Sequence, residues 1–183
     1  MRMFVFLICL ALSFNALALG GYDSLSGDDK KVTDNIKNNL SISESDAYRI
    51  YNKFLKGFLN SKDWEFNSYD NESLDSSKVG KSANKTAFFN FVTDNRYINL
   101  TFIKFPDEKQ VLIQSIETLP RSSEDAIEKY NSLKADSAWI VGADKPNFSI
   151  FSQKNTSSKV KILINSGVGA IQYVDFFTLD LKN

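Results

Sequence analysis

The sequence predicts an α+β fold: antiparallel β-meanders of about six to eight strands packed with two main amphipathic helices. Three observations carry this expectation. Two segments keep a helical period behind hydroxyl caps, each is followed by short strand-like runs, and the runs are joined by tight turn signals rather than helical crossovers. With 183 residues, 43% hydrophobic and 13% aromatic, the chain can bury a core of its own.

The first eighteen residues stand apart. Met1 and Arg2 precede an apolar run, and Ala16-Leu17-Ala18 sets small residues at the −3 and −1 positions of a signal peptidase site. The run ends without a basic stop-transfer flank, so the expectation is a secretory signal peptide over 1–18 and a single α+β domain over 19–183. Cleavage after Ala18 would remove Cys9, Met1, Met3 and Arg2, leaving 21 basic and 22 acidic side chains and no cysteine, histidine or methionine. Export without disulfides points to a periplasmic or secreted bacterial protein, and no later stretch is apolar enough for stable membrane insertion.

Val32, Ile36 and Leu40 recur every four residues and predict a short helix. Ser43-Glu44-Ser45-Asp46 is a capping box, and Ala47, Ile50, Tyr51, Phe54, Leu55 and Phe58 make one stripe on a helix ending near Asn60. Trp64-Glu65-Phe66 predicts a short strand, and the segment from about 70 to 85 a polar loop. Strands are expected over Ala87–Val92, Tyr97–Phe105 and Gln110–Leu119, with turns at Thr93–Arg96 and Pro106–Glu108. Ser122 caps a second helix whose apolar face is Ala126, Ile127, Tyr130 and Leu133. Strands over Ala138–Val141, Phe148–Ser152, Val160–Ile164 and Ala170–Leu181 form a second antiparallel set. Val111–Ser115 resembles Ile162–Ser166, but the helix and strand offsets of the two halves disagree, so no repeat is assigned.

Composition excludes much chemistry. Without histidine and cysteine, the mature chain has no Ser-His-Asp triad, no thiol nucleophile and no soft-metal site. Ser82-Ala83-Asn84-Lys85 and Ser158-Lys159-Val160-Lys161 match a Ser-Lys dyad only as often as abundant serine and lysine dictate. Asp70, Glu72 and Asp75 lack calcium-loop spacing, so no metal or cofactor is expected. Gly167 and Gly169 lie in a hairpin turn between strands, not before a helix, and three arginines at near-zero net charge argue against nucleic acid. Six Asn-x-Ser/Thr sequons follow from the abundance of Asn and Ser.

Four residues stand out as candidates for binding. Trp64, Trp139 and Tyr173 offer aromatic surface, and Asp175 lies on the more apolar face of the last strand, where a charge is costly unless paired. A bulge or edge strand turning Asp175 to solvent is the preferred expectation for it. Strand Tyr97–Phe105 is apolar on both faces, which calls for helices on both sides or for a partner. The expected function is therefore binding to another protein in the envelope or exterior, as an inhibitor, an immunity protein or an assembly accessory, and not catalysis. A carrier of a small apolar ligand or lipid is the alternative. A cell-wall glycosidase using Asp175 and Glu117 is the third, since glycoside hydrolysis needs only two acids.

Overall fold

The computed structural model describes residues 21–68, 84–154 and 161–182. The expected signal peptide, most of the polar loop with Asp70, Glu72, Asp75 and Ser82, the sequons at Asn71 and Asn155, and Ser158 lie outside the described residues.

Helix α1 (Gly27–Leu40) is longer than the apolar spacing alone indicates, because Asp28 and Asp29 favour its positive N-terminus and Ser26 occupies the N-cap. Val32, Ile36 and Leu40 are its buried stripe. The helix ends where Ser41 takes a left-handed conformation (φ 49°) and Ile42 N–H bonds back to Lys37 O. Tyr22 ties the preceding segment to it. Its hydroxyl donates to Asp34 and accepts from Lys37 at 2.9 Å, and Lys30 sits 3.4 Å from the ring centroid. The Tyr22 hydroxyl, ahead of the lysines, holds the Asp34 carboxyl below its usual range.

The capped helix after Ser43 is one run in three parts: α2 (Glu44–Ile50), a π turn (Tyr51–Leu55) and α3 (Lys56–Leu59). The wide turn adds a residue and shifts the phase of the stripe. Tyr51 and Leu55 therefore stay buried while Phe54 leans edge-on against Phe102.

Eight strands follow in two runs of four: β1 (Glu65–Ser68), β2 (Lys85–Thr93), β3 (Arg96–Lys104) and β4 (Gln110–Pro120), then helix α4 (Ser123–Ala135), then β5 (Trp139–Lys145), β6 (Phe148–Gln153), β7 (Lys161–Asn165) and β8 (Ala170–Asp180). They form a single antiparallel sheet in the order β1-β2-β3-β4-β8-β7-β6-β5. The order is palindromic. Each half is a helical segment followed by a four-stranded meander, and the halves meet along β4 and β8, whose ladder runs from Gln110↔Asp180 to Pro120↔Ala170 with Ser115↔Asp175 at its centre. The topology thus repeats where the sequence offsets do not. The short similarity noted above aligns β4 with β7, whereas the topological counterpart of β4 is β8.

Opposed residues in an antiparallel ladder share a face, so the register sorts the sheet into two sides. On one side stand Phe89, Phe91, Leu100, Phe102, Ile113 and Leu179, which pack under α1, α2 and the π turn. Further along the same side, Phe151, Ile162, Ile164 and Ile171 pack under α4 through Ala126, Tyr130 and Leu133. Each fully buried phenylalanine contributes roughly 1.5–3 kcal/mol of transfer free energy. Ile127, expected on the packed face of α4, is exposed instead, one position around the helix from Ala126.

Among the described residues, Asp46 is the one buried charge of this layer, at 0% exposure. Its amide takes the Ser43 hydroxyl as cap, while its carboxylate accepts from Ser43 Oγ (3.0 Å), Arg49 Nη1 (2.8 Å) and the Lys182 amide (3.2 and 3.3 Å). Arg49 also donates to Asp180 O at 3.0 Å, so this knot fastens the end of β8 to the start of α2.

Candidate functional surfaces

Among the described residues, the helices cover one side of the sheet only. The opposite side carries Phe88 on β2, Tyr97 and Ile103 on β3, Leu112 and Ile116 on β4, Val174 and Phe176 on β8, and Ile140 on β5. An uncovered face of an antiparallel sheet normally alternates to polar residues; this one does so in part, through Thr86, Asn90, Asn99, Thr101, Gln114, Thr118, Ser152, Lys161, Gln172 and Thr178. Tyr97 and Ile140 are 48% and 49% exposed. Val174 is only 5% exposed although no described element lies over it, because Ile116 and Lys161 flank it on the neighbouring strands. Strand β3 is apolar on both sides for this reason: one row meets helices and the other does not.

A second feature lies on the helical side. Three surface cavities of about 730, 290 and 320 Å³ adjoin through shared residues. Arg96 joins the first to the second, and Leu119 and Arg121 join the second to the third. The result is a trough from Trp64 at the β1 edge, past the β2–β3 turn and the end of β4, to Tyr173 beneath α4. Arg96 lies 5.1 Å from the Trp64 ring centroid and reaches Glu117 at 3.4 Å. Arg121 is placed by backbone: its amide donates to Gly169 O, and the next residue, Ser122, caps α4 in a reciprocal capping box with Asp125. Gly169 (φ 65°) is required there, since a Cβ would run into the Arg121 carbonyl and approach Ser122 C to 2.7 Å.

The four expected binding residues separate. Trp64 and Tyr173 line opposite ends of the trough, although Trp64 also packs edge-on against Phe58. Trp139 lies on the edge strand β5 against the α4 core, away from the trough. Asp175 is not turned out by a bulge or an edge: β8 is regular and central, and Asp175 points to the helical side, half-buried between the two packed clusters and opposite Ser115. Glu117 stands opposite Tyr173, which makes Glu117 and Asp175 diagonal neighbours on one face, a placement about 7–8 Å apart in a regular sheet with the Cβ atoms somewhat closer.

Among the described residues, no group of three or more acidic, cysteine or histidine side chains is placed to hold a metal, and no helix is long and apolar enough to cross a membrane. No protein-family model, curated protein or solved structure matches the chain.

Proposed function

We propose that the protein is an exported binding module of the bacterial envelope, acting by contact with another protein rather than by catalysis, and that the uncovered face of the sheet is the surface that meets the partner. The observation that carries this reading is that, among the described residues, helices cover one side of the sheet while the other still carries Phe88, Tyr97, Ile103, Leu112, Ile116, Phe176 and Ile140. Exposed Tyr97 and Ile140, with the half-buried Ile103, Leu112, Ile116 and Phe176, offer a partner apolar contact set among polar groups. The composition supports the same reading, because neither imidazole nor thiol remains once the leader is removed. A ligand carried between sheet and helices fits less well, since Tyr51, Phe89, Phe91, Phe102 and Phe151 fill that space.

Photo-crosslinking in intact cells tests the proposal. A photoreactive residue replacing Tyr97 or Leu112 is expected to give an adduct of defined mass in the envelope fraction, while one replacing Lys53 on the helical side gives none. An adduct of twice the chain mass would identify a second copy as partner, and co-purified lipid a carrier; either result, or no adduct from the sheet face, overturns the proposal. The N-terminal residue of the exported chain, expected to be Leu19, checks the export step separately.

A further inference from the structure

The middle cavity of the trough, about 290 Å³, is lined by Asn95, Arg96, Leu119, Pro120 and Arg121. This chain places lysine at 18 of its 22 basic positions and arginine at only four, yet two of the four line this one cavity. Lysine would serve equally well as a solvated surface charge. Arginine differs in its planar fork, whose paired N–H groups match the two oxygens of a carboxylate. Arg96 gives one Nη1 to Glu117 and Arg121 acts on the Asp125 carboxylate through its charge, which leaves further N–H donors on both guanidinium groups for a ligand at the cavity they line. Neither base is loose. Arg96 opens β3 and lies over Trp64; Arg121 is held between the end of β4, Gly169 and the cap of α4.

The surroundings narrow the ligand. Leu119 and Pro120 give the cavity an apolar floor suited to the methylenes next to an acid group. Glu117 and Asp125 stand beside the two arginines, so the local charge is close to balanced and a second negative charge on the ligand is resisted. That favours a carboxylate over a phosphate dianion. The cavities of about 730 and 320 Å³ on either side leave room for chain running both ways from the seat.

We propose that Arg96 and Arg121 form a seat for the carboxylate of a glutamate or aspartate within an extended peptide segment lying along the trough. The proposal concerns the helical side and stands whether or not the open sheet face binds a partner.

The test uses the chain from Leu19 to Asn183, isotope-labelled to follow its backbone amide and arginine Nε–Hε signals. The probes are acetyl-Ala-Ala-Glu-Ala-Ala-amide, the same peptide with Gln for Glu, sodium acetate and inorganic phosphate. The glutamate peptide is expected to shift the Arg96 and Arg121 signals and those of neighbouring Asn95 and Leu119. Losing a charge-assisted bond weakens binding about tenfold or more, so the Gln peptide and the Arg121→Gln variant should each bind at least that much less tightly. Arg121→Lys, which keeps the charge without the fork, should fall between. Tyr97→Ser on the opposite side should leave the titration unchanged. Equal binding of the Glu and Gln peptides, an unaffected Arg121→Gln, acetate as effective as the peptide, or phosphate binding more tightly than the peptide would each overturn the proposal. Arg121 is exposed, so its variants retain the fold, which an unchanged backbone spectrum verifies.

Discussion

Replacing Asp46 by alanine removes the acceptor of a three-way junction. Its carboxylate takes hydrogen bonds from Ser43, Arg49 and the Lys182 amide, and none of its own surface meets water. Bonds to a charged acceptor are each worth roughly 1.5–3 kcal/mol, and breaking a buried ion pair costs roughly 3–5 kcal/mol when the remaining charge stays buried. Arg49 is 30% exposed and rehydrates in the variant, as does the Lys182 amide near the chain end, so the expected loss is about 2–4 kcal/mol. Asp46→Asn keeps the shape and the acceptor oxygen but not the charge, and should lose about 1–2 kcal/mol. Arg49→Met closes a double-mutant cycle with Asp46→Ala, and the pair should couple by about 1 kcal/mol. Urea unfolding of the chain from Leu19, followed through Trp64 and Trp139 fluorescence, reads the wild type and all four variants. A loss below about 0.5 kcal/mol for Asp46→Ala, at unchanged denaturant slope, would refute the idea that this junction holds β8 to α2.

Two further substitutions follow from the same geometry. Gly169→Ala places a side chain in the left-handed region against the Arg121 carbonyl and should cost more than about 2 kcal/mol, whereas Gly142→Ala, whose nearest neighbour would be Ile150 O at 3.6 Å, should stay within about 0.5 kcal/mol; thermal unfolding of the two variants compares them directly. Burial, with the Asp29 carboxylate second, pushes the Tyr51 phenol up to about 12, against about 10 in an unfolded chain. The folded state therefore holds this proton more tightly, and its contribution is complete below about pH 10 and lost as the pH rises toward about 12. Stability of the wild type minus that of Tyr51→Phe should fall across that interval, and a flat difference would exclude Tyr51 as the titrating group.

The helices and hairpins were legible because local rules agree with the tertiary environment. Ser43 and Ser122 cap the helices they precede, and the turns at Thr93–Arg96 and Ser166–Gly169 join adjacent strands. Expectation failed where one residue type serves two backbone forms. The strand expected to end at Val141 continues to Lys145, with Gly142 as a bulge within β5. Ile127 fits an apolar stripe, yet the helix is rotated to bury Ala126 and Leu133, because a small residue lets α4 approach β7 and β8. The apolar character of both faces of β3 was visible, but not which face the helices choose, because that depends on strand order. The trough was not legible at all. Its residues come from β1, the β2–β3 turn, the end of β4, one side of α4 and the start of β8, and only the pairing of distant strands and the packing of α4 bring them together. Tyr173 was found through its place in an aromatic strand; Arg96 and Arg121 carried one usable signal, their rarity.

The palindromic strand order also has a kinetic consequence. Within each half, every strand pair of the meander joins neighbours in the chain, so apart from the longer connection between β1 and β2 loop closure is short and its entropy cost small. The β4–β8 ladder is different: it joins residues separated by the whole of α4 and three strands, and the Asp46 knot lies across the same seam. The topology predicts two local events and one docking event, with the seam ordering last. Substitutions such as Asp46→Ala should accelerate unfolding and leave the refolding rate nearly unchanged, while substitutions within either meander slow refolding, a partition that stopped-flow measurements on the two classes resolve.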